Sequence, residues 1–587
     1  MEERPNMTRW LLLGAAILLF VMYGWPAITG KTTTSELQAD HGYVDFRVEP
    51  ERRVPEETCA IDGPHFHADL TTVGAALRHL YITDPKYQQD SEGKKIDLAK
   101  DLQDWHLPLR TVLRAPPVVK ADGADQLRYT DFDWKVTKPN ATTCVFSYED
   151  DGVSLTKTIA ATERPFELTV NLVVTNKAKE ARSHRLTIES DEWHAWSETK
   201  SSFAKRQSEW ETKSEAYGDS KLQRLTDGDF EPKKLDDEEV TAEKWRRAPG
   251  DGRMAAVSSS YFSKAILPLA SPATPAAEGF VEEYFRPKEF LQKDKDPLYG
   301  HTYRARLNYG VRSLAPGETA VYEMLAFAGP KEREVLANVG GGKFPTTELL
   351  NLGYFGSIGK VLIRYLYLLF SVVRSWGWAI VLLTITVKLL LFPLSIAQIK
   401  STMAMRKLKP EMDALNAKYK DDAQQRGLAL QELWRKNKVA NPMLGCLPVL
   451  LQMPVWWALY SALQTAVELY HTPFGPFIPD LSAPGKYFII PALLGASSWL
   501  QQHLMPMQGD PAQQKMMKYM MPAIFTVMML FLPAGLGIYF LTNTWLGILQ
   551  QIAVERYYQS KKTSDEPTPV DDSKAFGKGK GRVEQRG

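Results

Sequence analysis

The chain has 587 residues, 44% of them hydrophobic, and a formal net charge of +2. That length exceeds what one hydrophobic core usually holds, so at least two domains are expected. Its 3 cysteines exclude a disulfide-rich scaffold, and no CxxC or Cys/His cluster suggests a zinc site.

Apolar residues crowd into the first thirty positions and again after about residue 354. The first run, 10–28, follows Arg4 and Arg9. It is longer than the roughly 7–15 residues of a signal peptide's apolar region, and no small-residue cleavage site follows, so it reads as a retained anchor with a cytoplasmic N-terminus. Residues 1–30 form this anchor domain.

Residues 31–345 contain no spanning run. Stretches at 166–175, 186–189, 255–262, 279–285 and 319–327 alternate or run apolar as strands do, between Gly, Pro, Asn and Asp. Many short strands imply a β-sandwich. The Lys-, Glu- and Asp-rich stretch 201–247 reads as an exposed insertion or flexible loop rather than core. Cys59 and Cys144 lie in this domain and are compatible with one disulfide or, equally, with two buried thiols.

After Gly340-Gly341-Gly342 the pattern turns helical. Residues 355–374 are apolar but carry Lys360, Arg364 and Arg374, which fits an interfacial amphipathic helix within a segment 346–375. Candidate spans follow at 376–396, 447–467, 487–504, 519–532 and 535–553, making six with the anchor. Between the second and third, 398–438 reads as a cytoplasmic helical hairpin, broken at Asp421-Asp422. Met405, Leu408, Met412, Leu415 and Tyr419 form a stripe opposed by Leu428, Leu430, Leu433 and Trp434. A connector in a bundle usually needs only about 2–8 residues, so a hairpin this long is expected to contact something.

Loop charge orients the spans. Segment 400–438 carries about twice as many basic as acidic residues, and the tail 558–587 adds Lys561, Lys562, Lys574, Lys578, Lys580 and Arg582. Both are expected in the cytoplasm, which places 31–375 outside. The tail reads as disordered.

Lys388 sits inside the apolar run 376–393. A cation at the centre of a membrane helix costs roughly 2.5–3.5 kcal/mol, so it normally faces a partner, a bundle interior or a watered cavity. The alternative is snorkelling to a headgroup, which is stretched at this distance from the helix ends. Enzyme motifs are missing: neither Gly356-Ser357-Ile358-Gly359-Lys360 nor Gly340-Gly341-Gly342-Lys343 has P-loop spacing, and Ser154-Leu155-Thr156-Lys157 lacks the companion motifs of serine acyl-enzymes. His65 and His67 have no further ligands at metal spacing. No catalytic residue, metal or cofactor is expected.

The third span begins Asn441-Pro442, continues through Gly445, Cys446, Pro448 and Leu451-Gln452-Met453-Pro454, and ends at Leu459-Tyr460. With Asp510-Pro511, Gln513-Gln514-Lys515, Met521-Pro522, Phe525, Pro533-Ala534-Gly535, Tyr539, Asn543 and Gln550-Gln551, this pattern resembles the YidC/Oxa/Alb family of membrane protein insertases, closest to its Gram-negative bacterial branch. The resemblance covers about 355–557, the family's five-span core at 376–557. It implies that the outer domain is a periplasmic β-supersandwich in a multi-pass inner-membrane protein. It further implies a hydrophilic groove, open to cytoplasm and lipid, that contains Lys388, Thr384, Gln452, Tyr539 and Phe540. The family most often has arginine where this chain has Lys388, so charge is kept but the bidentate fork is lost. A hydroxyl-bearing aromatic is often found where Phe540 stands. Implied partners are nascent membrane proteins, the Sec translocon, the ribosome and membrane lipids, with a monomer as the working unit. The main alternative is a transporter or channel with an intramembrane anion site, which calls for polar residues on several helices and inverted repeats. A sugar-modifying enzyme of mutarotase-like fold rests on fold analogy alone.

Overall fold

The computed structural model describes residues 55–89, 93–99, 107–115, 126–128, 134–195, 212–219, 221–225, 234–235, 238–239, 244–269, 276–285, 300–350, 356–419, 422–437, 453, 457–463, 465–485, 488–504 and 516–565. The expected anchor, the start of the third span and the end of the tail lie outside them. The chain divides into two compact units, one of 1–380, 453–491 and 527–538, the other of 381–452, 492–526 and 539–587.

The first unit contains the β-sandwich. Its larger sheet has nine antiparallel strands in the order Leu222–Leu225, Lys213–Tyr217, Met254–Ser258, Phe262–Pro268, Thr319–Pro330, Glu167–Asn176, Val153–Ala161, Thr143–Glu149 and Lys135–Asn140. The second sheet centres on Arg182–Ala195 and Gly300–Tyr309, and Met254–Ser258 lies against both of these strands. A small sheet of Thr58–Gly63, Phe66–Thr71 and Ala76–Ile82 completes the domain. Alternation explains the strands: Leu168, Val170, Leu172 and Val174 are all buried, as are Val153, Leu155 and Ile159 on the neighbouring strand.

Two expectations change here. The run 255–262 is a hairpin rather than one strand, because Ser259 and Phe262 close a turn through an N–H···O bond of 2.9 Å. The charged stretch 201–247 is not an exposed insertion throughout: Lys213, Ser214 and Glu215 are buried in the strand Lys213–Tyr217. Pairing makes this tolerable. The Glu215 carboxylate accepts from Arg224 Nε at 2.5 Å and from Ser258 Oγ at 2.6 Å. Similar pairs recur across the second sheet, with Arg304 Nε 2.6 Å from Asp191 and Arg110 Nε 3.7 Å from Glu189. Burial pushes the Asp191 carboxyl up to about 6, against the pull of Arg304.

Lys157 is also fully buried on the inward face of its strand. Its ammonium donates to Ala75 O at 2.8 Å, Leu109 O at 2.5 Å and Thr111 Oγ1 at 2.8 Å. All three donors are thereby used. Ala75 and Leu109 have positive φ, 48° and 64°, so the lysine ties down two backbone positions that L-residues rarely adopt. Cys59 and Cys144 form a disulfide between the small sheet and the nine-stranded sheet, with Cα atoms 6.3 Å apart. His65 pairs with Asp84, and His67 with Asp62 and Asp69. Among the described residues no His, Cys, Asp and Glu group could hold a metal.

Eight described helices follow: α1 (Arg333–Asn338), α2 (Gly356–Val373), α3 (Trp376–Leu390), α4 (Phe392–Lys418), α5 (Ala423–Lys436), α6 (Ile489–Leu504), α7 (Met521–Met529) and α8 (Ala534–Asp565). Helix α2 exposes Val361, Leu368 and Val372 together with Lys360 and Arg364. The run 376–396 is two helices rather than one. Leu391 leaves helical geometry, and Pro393, which has no N–H to donate, sits in the first turn of α4. Asp422 caps α5 by accepting from the Gln424 and Gln425 N–H groups. Of the hairpin stripe, Leu408 is buried and Met412, Leu415, Leu430 and Leu433 are half-buried, whereas Leu428 is exposed. Among the described residues no helix is long and apolar enough to cross a membrane.

Candidate functional site in the helical region

Lys388 lies in the last turn of α3 and is half-buried. What faces it is set by a missing side chain. A Cβ added to Gly547 on α8 would sit 3.9 Å from Lys388 Nζ and 3.0 Å from Gln501 Nε2 on α6. Three helices therefore bring an ammonium, an amide and bare backbone together. Helix rise accounts for the match: Lys388, Gln501 and Gly547 stand 12, 12 and 13 residues beyond the first residues of their helices. At about 1.5 Å per residue each is about 18–20 Å along its helix.

The other expected groove residues are arranged differently. Thr384, one turn before Lys388, is buried. Tyr539 is buried and Phe540 half-buried, with ring centroids 5.5 Å apart. Both precede Gly547 on α8 by about two turns, roughly 11–12 Å nearer the helix start. The structure therefore groups Lys388 with Gln501 and Gly547, and leaves the aromatic pair at another level of α8. Gln452 lies outside the described residues.

Gln501 and Gly547 were not singled out from sequence. The available signals were an amide pair, Gln501-Gln502, in a largely apolar helix, and a glycine inside α8 at the depth of Lys388. The ensemble offers a half-buried ammonium beside an amide able to donate and accept. Such a place attracts a carboxylate or a polar chain segment without holding it by several fixed bonds.

Further along, the first arm of the hairpin is tied to the same helices. Arg406 donates to the Leu504 carbonyl at the end of α6 at 3.0 Å and lies 3.7 Å from Glu555 on α8. Gln551 donates to the same carbonyl at 3.1 Å. The last four carbonyls of a helix have no partner within it, and here that of Leu504 is met by side chains from two other helices.

The described residues thus comprise a large β-sandwich and a set of helices, three of which bring Lys388, Gln501 and Gly547 together. The family model described as the YidC periplasmic domain matches residues 58–365, and that of the 60Kd inner membrane protein matches 368–562. Membrane protein insertase YidC of Anaeromyxobacter dehalogenans (strain 2CP-C) is 31% identical over 520 residues, 87% of this chain and 87% of that protein. That of Burkholderia multivorans is 40% identical over 283 residues, 47% of this chain and 50% of its own length. A crystal structure of an active YidC insertase with its first transmembrane domain resolved is 19% identical, with 92% of this chain and 99% of that chain covered and a TM-score of 0.36. The chain belongs to the YidC family of membrane protein insertases. Its β-sandwich is the family's periplasmic domain, and it is an inner-membrane insertase rather than an enzyme.

Proposed function

We propose that the chain inserts nascent proteins into the inner membrane along a hydrophilic groove whose working charge is Lys388. The meeting of Lys388 and Gln501 at Gly547 carries this reading. An incoming segment must move a polar tail across hydrocarbon, where each unsatisfied backbone group costs several kcal/mol. A watered groove reaching part of the way shortens the dry distance. Lys388 attracts acidic groups in the tail, and the Gln501 amide offers a neutral hydrogen-bonding partner beside it. Thr384, Gln452, Tyr539 and Phe540 line the remainder of the groove in this reading. The client's apolar segment partitions into lipid and the tail is released outward.

No nucleotide is required. Burial of an apolar segment is favourable by itself, and the membrane potential adds about 2.3 kcal/mol per charge per 100 mV. The domains then run as an anchor at 1–30, a periplasmic domain at 31–345, an interfacial helix at 346–375, a core with five spans at 376–557 and a cytoplasmic tail. Both termini face the cytoplasm, as the basic segments 400–438 and 558–587 favour. The hairpin held by Arg406 receives clients from the ribosome or the Sec translocon, and the tail's lysines suit phosphate contacts.

The test is reconstitution of the purified chain in liposomes without nucleotide, with a single-span client carrying an acidic tail. Wild type is expected to insert it and Lys388→Leu to fail. Equal insertion by both refutes the role of Lys388, and no insertion by wild type refutes the unaided mechanism.

A further inference from the structure

The segment between the third expected span and α6 is packed on both sides. One side faces the β-sandwich and the helices α1 and α2 that follow it. The Glu468 carboxylate is buried and accepts from the Tyr367 hydroxyl of α2 and from the Arg333 N–H of α1, the latter at 3.2 Å. Lys86, in the loop after the small sheet, donates to the Glu468 carbonyl at 3.1 Å. Tyr470 is buried among Tyr87, Tyr261 and Phe262, with ring centroids 5.2–6.3 Å away, and its hydroxyl donates to Gln89 O.

The other side faces the first turns of α3 and α8. A Cβ on Gly377 of α3 would strike the Phe474 ring at 2.1 Å, and Trp378 meets that ring edge-on at 5.7 Å. The first N–H groups of α8 have no partners within the helix. The segment supplies them: Ala534 donates to Ala483 O and Gly535 to Leu481 O, both at 2.8 Å. Leu469 and Leu481 are fully buried beside Gly535. A Cβ on Gly537 would lie 2.4 Å from Ile490, so α6 and α8 also meet at their starts. Segment 467–483 is thus a wedge, with alternate residues gripping the sandwich and the helix starts.

We propose that this wedge is the outer closure of the insertion path, and that Glu468 and Tyr470 are positioning residues through which the sandwich holds it shut. The inference rests on the insertase reading, since α3 and α8 are the helices that further along carry Lys388 and Gly547. A tail carried past Lys388 leaves only when the wedge parts from the starts of α3 and α8. The sandwich thereby sets how readily the path opens, without touching the client's apolar segment.

The test is a reversible lock. Ala483→Cys and Ala534→Cys are introduced in a Cys446→Ser background, and insertion in proteoliposomes is measured after oxidation and again after reduction, beside the Cys446→Ser chain carried through the same treatments. The oxidised lock is expected to insert an acidic-tailed client at least about tenfold more slowly and to recover on reduction. Insertion by the oxidised lock at the reduced rate overturns the proposal and leaves the insertase reading standing. Failure of the Cys446→Ser chain overturns the reading itself.

Hydrogen exchange provides a second measurement that needs no new side chain in the closure. Tyr470→Ala is expected to speed exchange of the Ala534 and Gly535 amides about tenfold while leaving the strand amides of Glu167–Asn176 unchanged. Unchanged exchange at Ala534 and Gly535 overturns the clamp.

Discussion

Gly547 presents bare backbone to Lys388, whose Nζ lies 3.9 Å from the point a Cβ would occupy there. The same point is 3.0 Å from Gln501 Nε2, tighter than ordinary contact. Glycine inside a helix costs roughly 0.5–1 kcal/mol relative to alanine, so its presence is explained by the space it leaves. Gly547→Val is expected to displace the Gln501 amide, crowd the ammonium and lower insertion about tenfold, with helix content by circular dichroism unchanged. Gly547→Ala, with one small atom group, should lose much less. Wild-type insertion by Gly547→Val would show that the gap has no role.

Lys157 gives the periplasmic domain a pH signature. Burial pushes its ammonium down to about 7 in the folded chain, from about 10.4 when unfolded. Between these values the unfolded state binds more protons, so stability rises with pH from about 7 to 10.4, by at most about 1.4 kcal/mol per pH unit, and is flat from this cause below 7. Lys157→Met removes that slope. It also strands Ala75 O, Leu109 O and Thr111 Oγ1, at a cost of at least about 2 kcal/mol. Denaturant melts at pH 7 and pH 9 check both effects.

Arg304 offsets two buried acids. Its removal in Arg304→Met leaves Asp191 and Glu189 with less compensation, and breaking a buried pair of this kind costs about 3–5 kcal/mol. Asp191 already stands at about 6 and rises further without the guanidinium. The folded variant then holds a proton at pH values where the wild-type carboxyl has released it, so the deficit shrinks as pH falls from 7 toward about 6 and is flat from this cause below it. A deficit independent of pH would mean that packing, not charge, is what Arg304 supplies.

The Cys59–Cys144 disulfide closes a sequence separation of 85 residues. Replacing both cysteines by alanine is expected to cost about 2–5 kcal/mol, read as a lower melting point of the strand signal in the full chain. An unchanged melting point contradicts a stabilising bond.

Strand positions such as Glu167–Asn176 were legible because one face is apolar and the period is two. The stretch 201–247 was misread for the opposite reason. Glu215 looks solvated in sequence, and its tertiary partners Arg224 and Ser258 make its burial tolerable. Cys59 and Cys144 are far apart in the chain, so their pairing had no local signal. Lys388 announced itself by being charged among apolar neighbours, whereas Gln501 and Gly547 gain meaning only from being at the same depth on other helices. Leu428, read as part of the hairpin stripe, is exposed, since the hairpin's register is set by which arms touch rather than by composition.

In the proposed function Lys388 acts by its charge on the polar part of a client. The direct measurement is insertion of two clients that differ only in tail charge, one acidic and one neutral, into nucleotide-free liposomes containing wild type, Lys388→Arg or Lys388→Leu. The expected result is that Lys388→Arg works for both clients and that Lys388→Leu loses at least about tenfold more on the acidic tail than on the neutral one. Equal losses on both tails would contradict an electrostatic role and leave groove hydration alone to explain insertion.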